Sequence, residues 1–217
     1  MTKRIFKLRN VVKMTVACLA VVAVISCKNS NPPINGEQSP IGQVGNSFSV
    51  ISDISGIANN VSAQITSLED GVSTISMSAN INPVYLGMIS SMSDVNVSGT
   101  AVEKNAKYRF TSEGIQSVYQ EGNLTLVKYN AKVGDVYTMK RGAHTISREV
   151  TVVSKKDEFP WNGLLIKTIH VKETGRGVPG VDYVEYVFNH RFGLVATTVF
   201  FEDGSSEKFS FLSIATN

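Results

Sequence analysis

Residues 194–214 read Leu194-Val-Ala-Thr-Thr-Val-Phe-Phe-Glu-Asp-Gly-Ser-Ser-Glu-Lys-Phe-Ser-Phe-Leu-Ser-Ile214, and this stretch decides the fold class. Two runs rich in β-branched and aromatic residues, 194–202 and 207–214, flank Asp203-Gly204, a dipeptide suited to tight hairpin turns because glycine takes a positive φ without strain. The unit recurs upstream. Ala106, Tyr108 and Phe110 alternate with Lys107, Arg109 and Thr111, and Glu113-Gly114 turns the chain into 115–120. Glu121-Gly122-Asn123 leads into 124–129, Val133-Gly134-Asp135 into 136–140, and Arg141-Gly142 into a long run from 143 to 154, followed by runs at 164–173 and 181–189. In the run at 143–154, Ile146, Val150 and Val152 are read as one face, against Thr145, Ser147, Glu149 and Thr151. Adjacent runs joined by short turns predict an antiparallel meander. Strands 181–188 and 194–201 are apolar on both faces, so they belong at its centre, covered on one face by the N-terminal helices and on the other by neighbours or a ligand.

The N-terminal part has a different period. Ile51, Ile54, Ala58, Val61, Ile65 and Leu68 recur at spacings of three and four, which predicts a helix from Ser47 to Leu68. Gly56, Asn59, Asn60 and many Ser or β-branched residues are weak helix formers, so such a helix would need packing to hold it. The period then becomes two: Ile75, Met77, Ala79 and Ile81 alternate with Thr74, Ser76, Ser78 and Asn80, a half-buried strand. Asn82-Pro83 places a capping side chain before a proline at the first helical position, predicting a short helix to about Met92. The expected fold is therefore α+β and mainly β: an antiparallel meander, half-barrel-like, with one long and one short N-terminal helix packed on one face.

No catalytic constellation emerges from the spacing. Gly175-Arg-Gly-Val-Pro-Gly180 has the letters of a dinucleotide fingerprint, but a strand follows it where that motif needs a helix N-terminus, so it reads as a loop. His144, His170 and His190 form no pair at metal-ligand spacing, and no metal or cofactor is expected. Asp182 or Glu185 can meet His170 or His190 across strands, but nothing selects one serine to complete a triad. Glu69-Asp70, Asp157-Glu158 and Glu202-Asp203 are sequence neighbours, which point to opposite faces or sit in turns and do not make a glycosidase pair. Lys155-Lys-Asp-Glu-Phe-Pro-Trp-Asn-Gly163 is too long for a tight turn and holds the only tryptophan. Phe159 and Trp161 in that loop can cap a binding face as ligand contacts, or fold back over the sheet as large loop aromatics usually do.

The leader gives an address. Lys3, Arg4, Lys7, Arg9 and Lys13 precede an apolar run from Met14 to Ile25, the two regions of a secretory signal. That run holds 12 residues, short of the roughly 20 that span a bilayer. Val24-Ile25-Ser26-Cys27 resembles a bacterial lipobox, and the resemblance implies cleavage before Cys27, a diacylglycerol thioether on its sulfur and a third acyl chain on the new amino group. At about 0.8 kcal/mol per buried methylene, two or three chains anchor stably. Residues 28–46 are rich in Asn, Ser, Pro and Gly and read as a flexible spacer. The expected organisation is a signal peptide at 1–26, a tether at 27–46 and a single β-rich domain at 47–217. Lys28 follows the lipobox cysteine where enteric lipoproteins retained in the inner membrane carry Asp, and Glu37 alone is acidic in the tether. Both features lean towards the periplasmic leaflet of an outer membrane, with surface exposure left open.

Processing changes the charge. The chain carries +3, but five of its 21 basic residues lie in the leader and none of its 18 acidic ones does, so the mature chain has a net charge of −2. That removes any basic footprint for nucleic acid. Cys18 leaves with the leader, so no internal disulfide forms and stability must come from the core.

The segments Tyr129-Asn-Ala-Lys-Val-Gly-Asp-Val-Tyr137, Arg148-Glu-Val-Thr-Val-Val-Ser154, Phe192-Gly-Leu-Val195 and Phe201-Glu-Asp-Gly204 resemble uncharacterised lipoproteins of Bacteroides-type bacteria over about residues 106–212. More distantly, the meander is similar to the half-barrels of outer-membrane lipoprotein carriers and receptors, an analogy of fold alone. The expected function is a lipid-anchored, non-enzymatic binding or docking module, with membrane contact through its lipid and either an apolar ligand or an envelope protein as partner. A carrier or chaperone for an apolar ligand (an acyl chain or a lipoprotein) is the alternative, and an envelope hydrolase ranks third. Replacing Cys27 with Ala should empty the membrane fraction of mature protein; sedimentation of the variant with membranes after a high-salt wash would refute the lipobox reading.

Overall fold

A computed structural model describes residues 30–51, 56, 58–90 and 95–214. The lipobox with Cys27 lies outside these residues, as does Ile54. In chain order the strands are β1 (Ser47–Val50), β2 (Ala58–Glu69), β3 (Val72–Ile81), β4 (Asn96–Ser98), β5 (Ala101–Thr111), β6 (Gly114–Tyr119), β7 (Gly122–Lys128) and β8 (Val136–Arg141). They continue with β9 (His144–Val153), β10 (Phe159–Trp161), β11 (Leu164–Ile166), β12 (Ile169–Thr174), β13 (Val181–Asn189), β14 (Gly193–Phe201) and β15 (Ser206–Ile214). One helix, α1 (Pro83–Ser90), follows β3.

The sheet is a nearly closed up-and-down barrel. Its path runs β7-β6-β5-β3-β2-β1-β15-β14-β13-β12-β9-β8, every neighbour antiparallel, with β4 added beside β5. The first and last strands pair, Ser47 opposite Ile214 through to Val50 opposite Phe211, which joins the two arms of the meander. The path ends at β7 and β8, consecutive in the chain and adjacent in space, so the barrel has one seam. About eight strands enclose an interior that side chains just fill. A path of twelve is wider, so its interior needs large side chains, an inserted segment or a cavity, and this barrel has all three.

The expected long helix does not form: the described residues of that segment, Ile51 and Gly56 apart, are in β1 and β2. The reason is β-bulging. The register of β2 against β3 shifts between Asn59 and Ser62 and again between Ile65 and Ser67. Each extra residue turns a spacing of two into three, so Ile65 and Leu68, three apart, stand opposite Ile75 and Ser73 on one face of an extended chain. Ile65 and Ala63 point into the barrel opposite Ile75 and Met77, whereas Ile51 and Val61, assigned to the buried stripe of the helix, are exposed. The weak helix propensity of the segment is thereby explained. The short helix does form, with Val84 N–H donating to Asn82 Oδ1 at 3.1 Å and Pro83 in its first turn.

Residues 30–46, expected as free spacer, are bound to the barrel wall from Ser30 onward. Asn31 bridges to Asn123 on β7 and Gln38 to Thr111 on β5. Between them Ile34 is buried, its N–H donating to Gln116 Oε1. Ile41, in the 3-10 turn Pro40–Gly42, then joins the interior core beside Ile115 and Gly193 and plugs that end of the barrel. A segment with so few large apolar residues can dock because each of these two isoleucines finds a preformed site and the backbone finds strand partners.

The expected run 164–173 is split: β11 turns away to pair with β10, and β12 stays in the barrel between β9 and β13. Replacing the buried Ile65 with Ala should cost about 2–5 kcal/mol in denaturant unfolding, while Ser62→Ala on the exposed side should stay within about 0.5 kcal/mol.

Candidate functional site

Two opposite charges sit on the inward face. Along β9 the inward row is Ile146, Arg148, Val150, and along β12 it is Ile169, Val171, Glu173; all six are buried. Arg148 and Glu173 face each other across the strand pair, and Arg148 Nε donates to Glu173 Oε2 at 2.6 Å. The second carboxylate oxygen accepts from Arg176 Nε at 2.7 Å and from the Tyr186 hydroxyl at 3.2 Å. Arg148 Nη1 also reaches the carbonyls of Leu124 and Thr125 on β7, 3.2 and 3.3 Å away, crossing the seam from inside.

Electrostatics follow from that packing. Burial works against the Glu173 carboxylate, but Arg148 and Arg176 outweigh it and hold its pKa at about 2, well below the ordinary 4.5. Burial likewise opposes the charge on Arg176, and Tyr186 and Glu173 more than restore it, so that its pKa is raised. Tyr186 is pushed up, by burial first and the neighbouring carboxylate second, and stays a neutral donor. Two guanidinium groups against one carboxylate leave this belt with a net charge of +1.

Above the belt the barrel opens into a cavity of about 290 Å³. Its walls are largely apolar: Val184 and Val199, paired across β13 and β14, with Phe201, Phe209 and the α1 side chains Tyr85 and Ile89. Three charged side chains line it too: Glu173, Arg176, with about a third of its side chain exposed, and the exposed Asp182. The loop 175–180 forms one lip. Gly175 and Gly177, both at positive φ, let that loop press onto β9, where a side chain at either would run into the Thr145 carbonyl or the His144 ring. The glycine spacing is thus explained by close backbone approach.

The Phe159–Trp161 segment lies elsewhere. The β10–β11 hairpin folds over the outer face of the barrel, where Trp161 is buried against Phe192 at 4.5 Å between ring centroids and donates from Nε1 to the Phe211 carbonyl at 2.9 Å. Phe159 stands edge-on to His170. This hairpin covers the second apolar face of β13 and β14 through Val187, Val195 and Ala196. The cover that the sequence assigned to helices is a hairpin outside and the filled interior inside.

Beneath that hairpin His170 Nδ1 lies 3.4 Å from Glu185 Oε1 and its Nε2 3.2 Å from Thr168 Oγ1, a carboxylate–imidazole–hydroxyl chain. The sequence identified Glu185 and His170 as able to meet, and they do. Thr168 is 2% exposed and its hydroxyl also contacts Ser154, so the oxygen that a nucleophile would use is buried. His144 and His190 are exposed and separate, and among the described residues no three His, Cys, Asp or Glu side chains converge as metal ligands.

The Arg148–Glu173 belt was missed by the sequence reading, although a signal existed. Arg148 falls between Ile146 and Val150 in a row read as apolar, and Glu173 follows Ile169 and Val171 at the same period. Opposite charges at inward positions of two strands mark a buried pair. Comparison of the chain with protein-family models, curated proteins and solved structures finds no match. Glu173→Gln should cost about 3–5 kcal/mol at neutral pH, because it strands Arg148 without its counter-charge. Glu173 has a depressed pKa, so its ionisation stabilises the fold fully above pH 4.5 and ever less as pH falls towards 2. The variant should therefore lose part of the acid dependence of its melting temperature in that window; an unchanged slope would refute the pairing.

Proposed function

We propose that the protein is a lipid-anchored, non-enzymatic binding protein of the cell envelope, and that its ligand is an anionic amphiphile with a single acyl chain held in the barrel mouth. The observation that carries this reading is the largely apolar cavity lined by the guanidinium of Arg176, which is bonded to Glu173. The volume of about 290 Å³ falls at the lower end of the roughly 300–1,000 Å³ typical of small-molecule sites, which suits one chain or ring better than a diacyl lipid. The hydrophobic walls favour an acyl chain at about 25 cal/mol per Å² of apolar area buried. The partly exposed guanidinium of Arg176 favours an anion beside it, since Glu173 is already shared between two arginines and Tyr186, while Asp182 near the start of β13 is a counter-charge that the anion's head must pass. The lipobox reading of Cys27 supports the anchor, and Lys28 beside it supports the periplasmic face of an outer membrane.

Binding is testable on soluble protein with Cys27 replaced by Ala. Dansyl-undecanoate should bind saturably at one site. Dodecanoate should displace it at about tenfold lower concentration than dodecanol, the scale of one hydrogen bond to a charged group. Val199→Trp, which fills the cavity, should abolish binding without unfolding the barrel. Binding that survives this substitution, or equal competition by acid and alcohol, would remove the reading.

A further inference from the structure

The two ends of the barrel differ, and the N-terminal strap connects them in a fixed direction. Alternation of the meander places the start of β13, the end of β14, the end of β3 with α1, the end of β6 and the start of β7 all at one end. That end is the cavity mouth, where Val181, Phe201 and Tyr85 lie. Asn31 joins β7 at Asn123, at this same end, and Ser30 packs against Gly122, where any side chain would run into it. From there the strap descends over Gln116 to Thr111, and Ile41 closes the far end.

We infer that the barrel stands mouth-down on the bilayer and that the cavity is loaded directly from the membrane with one of its acyl-chain amphiphiles. This rests on the lipid-anchored reading given above. Cys27 precedes Ser30 by three residues, and three extended residues span at most about 11 Å. The effective tether is therefore that short, because the strap is bound from Ser30 on. A barrel held so closely by its mouth end cannot present its far end to the lipid without tearing the strap from β6 and β7. Exposed apolar side chains occur at both ends, Ile51, Val61, Val84 and Val97 at the mouth and Val133, Val136 and Ile214 at the far end, so the strap and not the rim sets the orientation; Val84, at 81%, is the most exposed of these.

The test uses the full lipidated protein in vesicles of phosphatidylethanolamine and phosphatidylglycerol carrying a nitroxide quencher at the headgroup boundary. Cys27 is acylated in the mature chain, so a single introduced cysteine is uniquely labelled. A bimane probe at Val84→Cys, or at Val97→Cys should the first disturb α1, should be quenched several-fold more than one at Val133→Cys, an exposed valine at the far end. Equal quenching, or stronger quenching at position 133, overturns the orientation. In a second arm, transfer of pyrene-labelled hexadecanoate from donor vesicles should be at least several-fold faster to the anchored protein than to the soluble Cys27→Ala form. Equal rates overturn loading from the membrane. Protein that carries no acyl group and stays in solution overturns the anchor and this inference together, whereas anchored protein with the wrong end quenched overturns the inference alone.

Discussion

The barrel depends on Arg148. A sheet whose path ends in two adjacent edges leaves backbone donors and acceptors on each, and edges left open invite pairing with another chain. Arg148 reaches from β9 across the seam to the carbonyls of Leu124 and Thr125, while its Nε is committed to Glu173. Taking such charges out of water costs several kcal/mol per ion, and only dense pairing offsets it. The partners are present: Glu173 receives both arginines and the Tyr186 hydroxyl, and Arg148 also lies near the Tyr186 ring. The interaction is a clasp whose worth lies in specificity as much as stability, because an apolar residue at 148 would fill the space but make neither bond to the β7 carbonyls.

The outer side of the same seam is held by Asn31. Its backbone N–H donates to the Asn123 carbonyl at 2.8 Å, its side-chain oxygen accepts from the Thr125 N–H at 2.8 Å, and its amide nitrogen reaches the Thr138 carbonyl on β8 at 3.4 Å. The Arg141–Glu121 pair, 3.7 Å apart, adds a surface contact between the same two strand ends. Inner and outer clasps use different chemistry for a shared reason. Inside, only a long charged side chain can reach the seam from a neighbouring strand. Outside, a passing backbone with one short amide suffices.

The hairpins were legible because turn chemistry and period-two alternation are both local: Asp203-Gly204, Arg141-Gly142 and Glu121-Gly122 each sit where the chain turns. The first strands were illegible for an equally local reason, since bulges rewrite the spacing of β2 and a single sequence does not display its partner's register. Bulging also moved Val152 out of the inward row of β9, where the register to β12 shifts beside His170 and Val171, leaving Val152 exposed and Val153 packed on the core. The cavity was illegible because it is a property of strand number. No residue announces it; a wide barrel plugged at one end by Ile41 and crossed by a polar belt leaves room for the cavity at the other.

That division of the interior gives the cavity its polarity. At the far end Ile41, Ile115 and Phe110 fill the barrel with apolar side chains. In the middle Arg148, Glu173 and Tyr186 form a charged floor that an acyl chain cannot cross without stranding buried charge. Beyond it lie largely apolar walls, the guanidinium of Arg176 and, near the start of β13, the carboxylate of Asp182. An amphiphile resting in a bilayer presents its headgroup at the surface, and a mouth lowered onto that surface meets the head first. Entry anion-first towards the guanidinium of Arg176, with the tail following along Val184, Val199 and Phe201, requires no reversal of the molecule. The direction of the strap, the sign of the belt and the apolar walls therefore agree on one pose, although each arises from a different part of the chain.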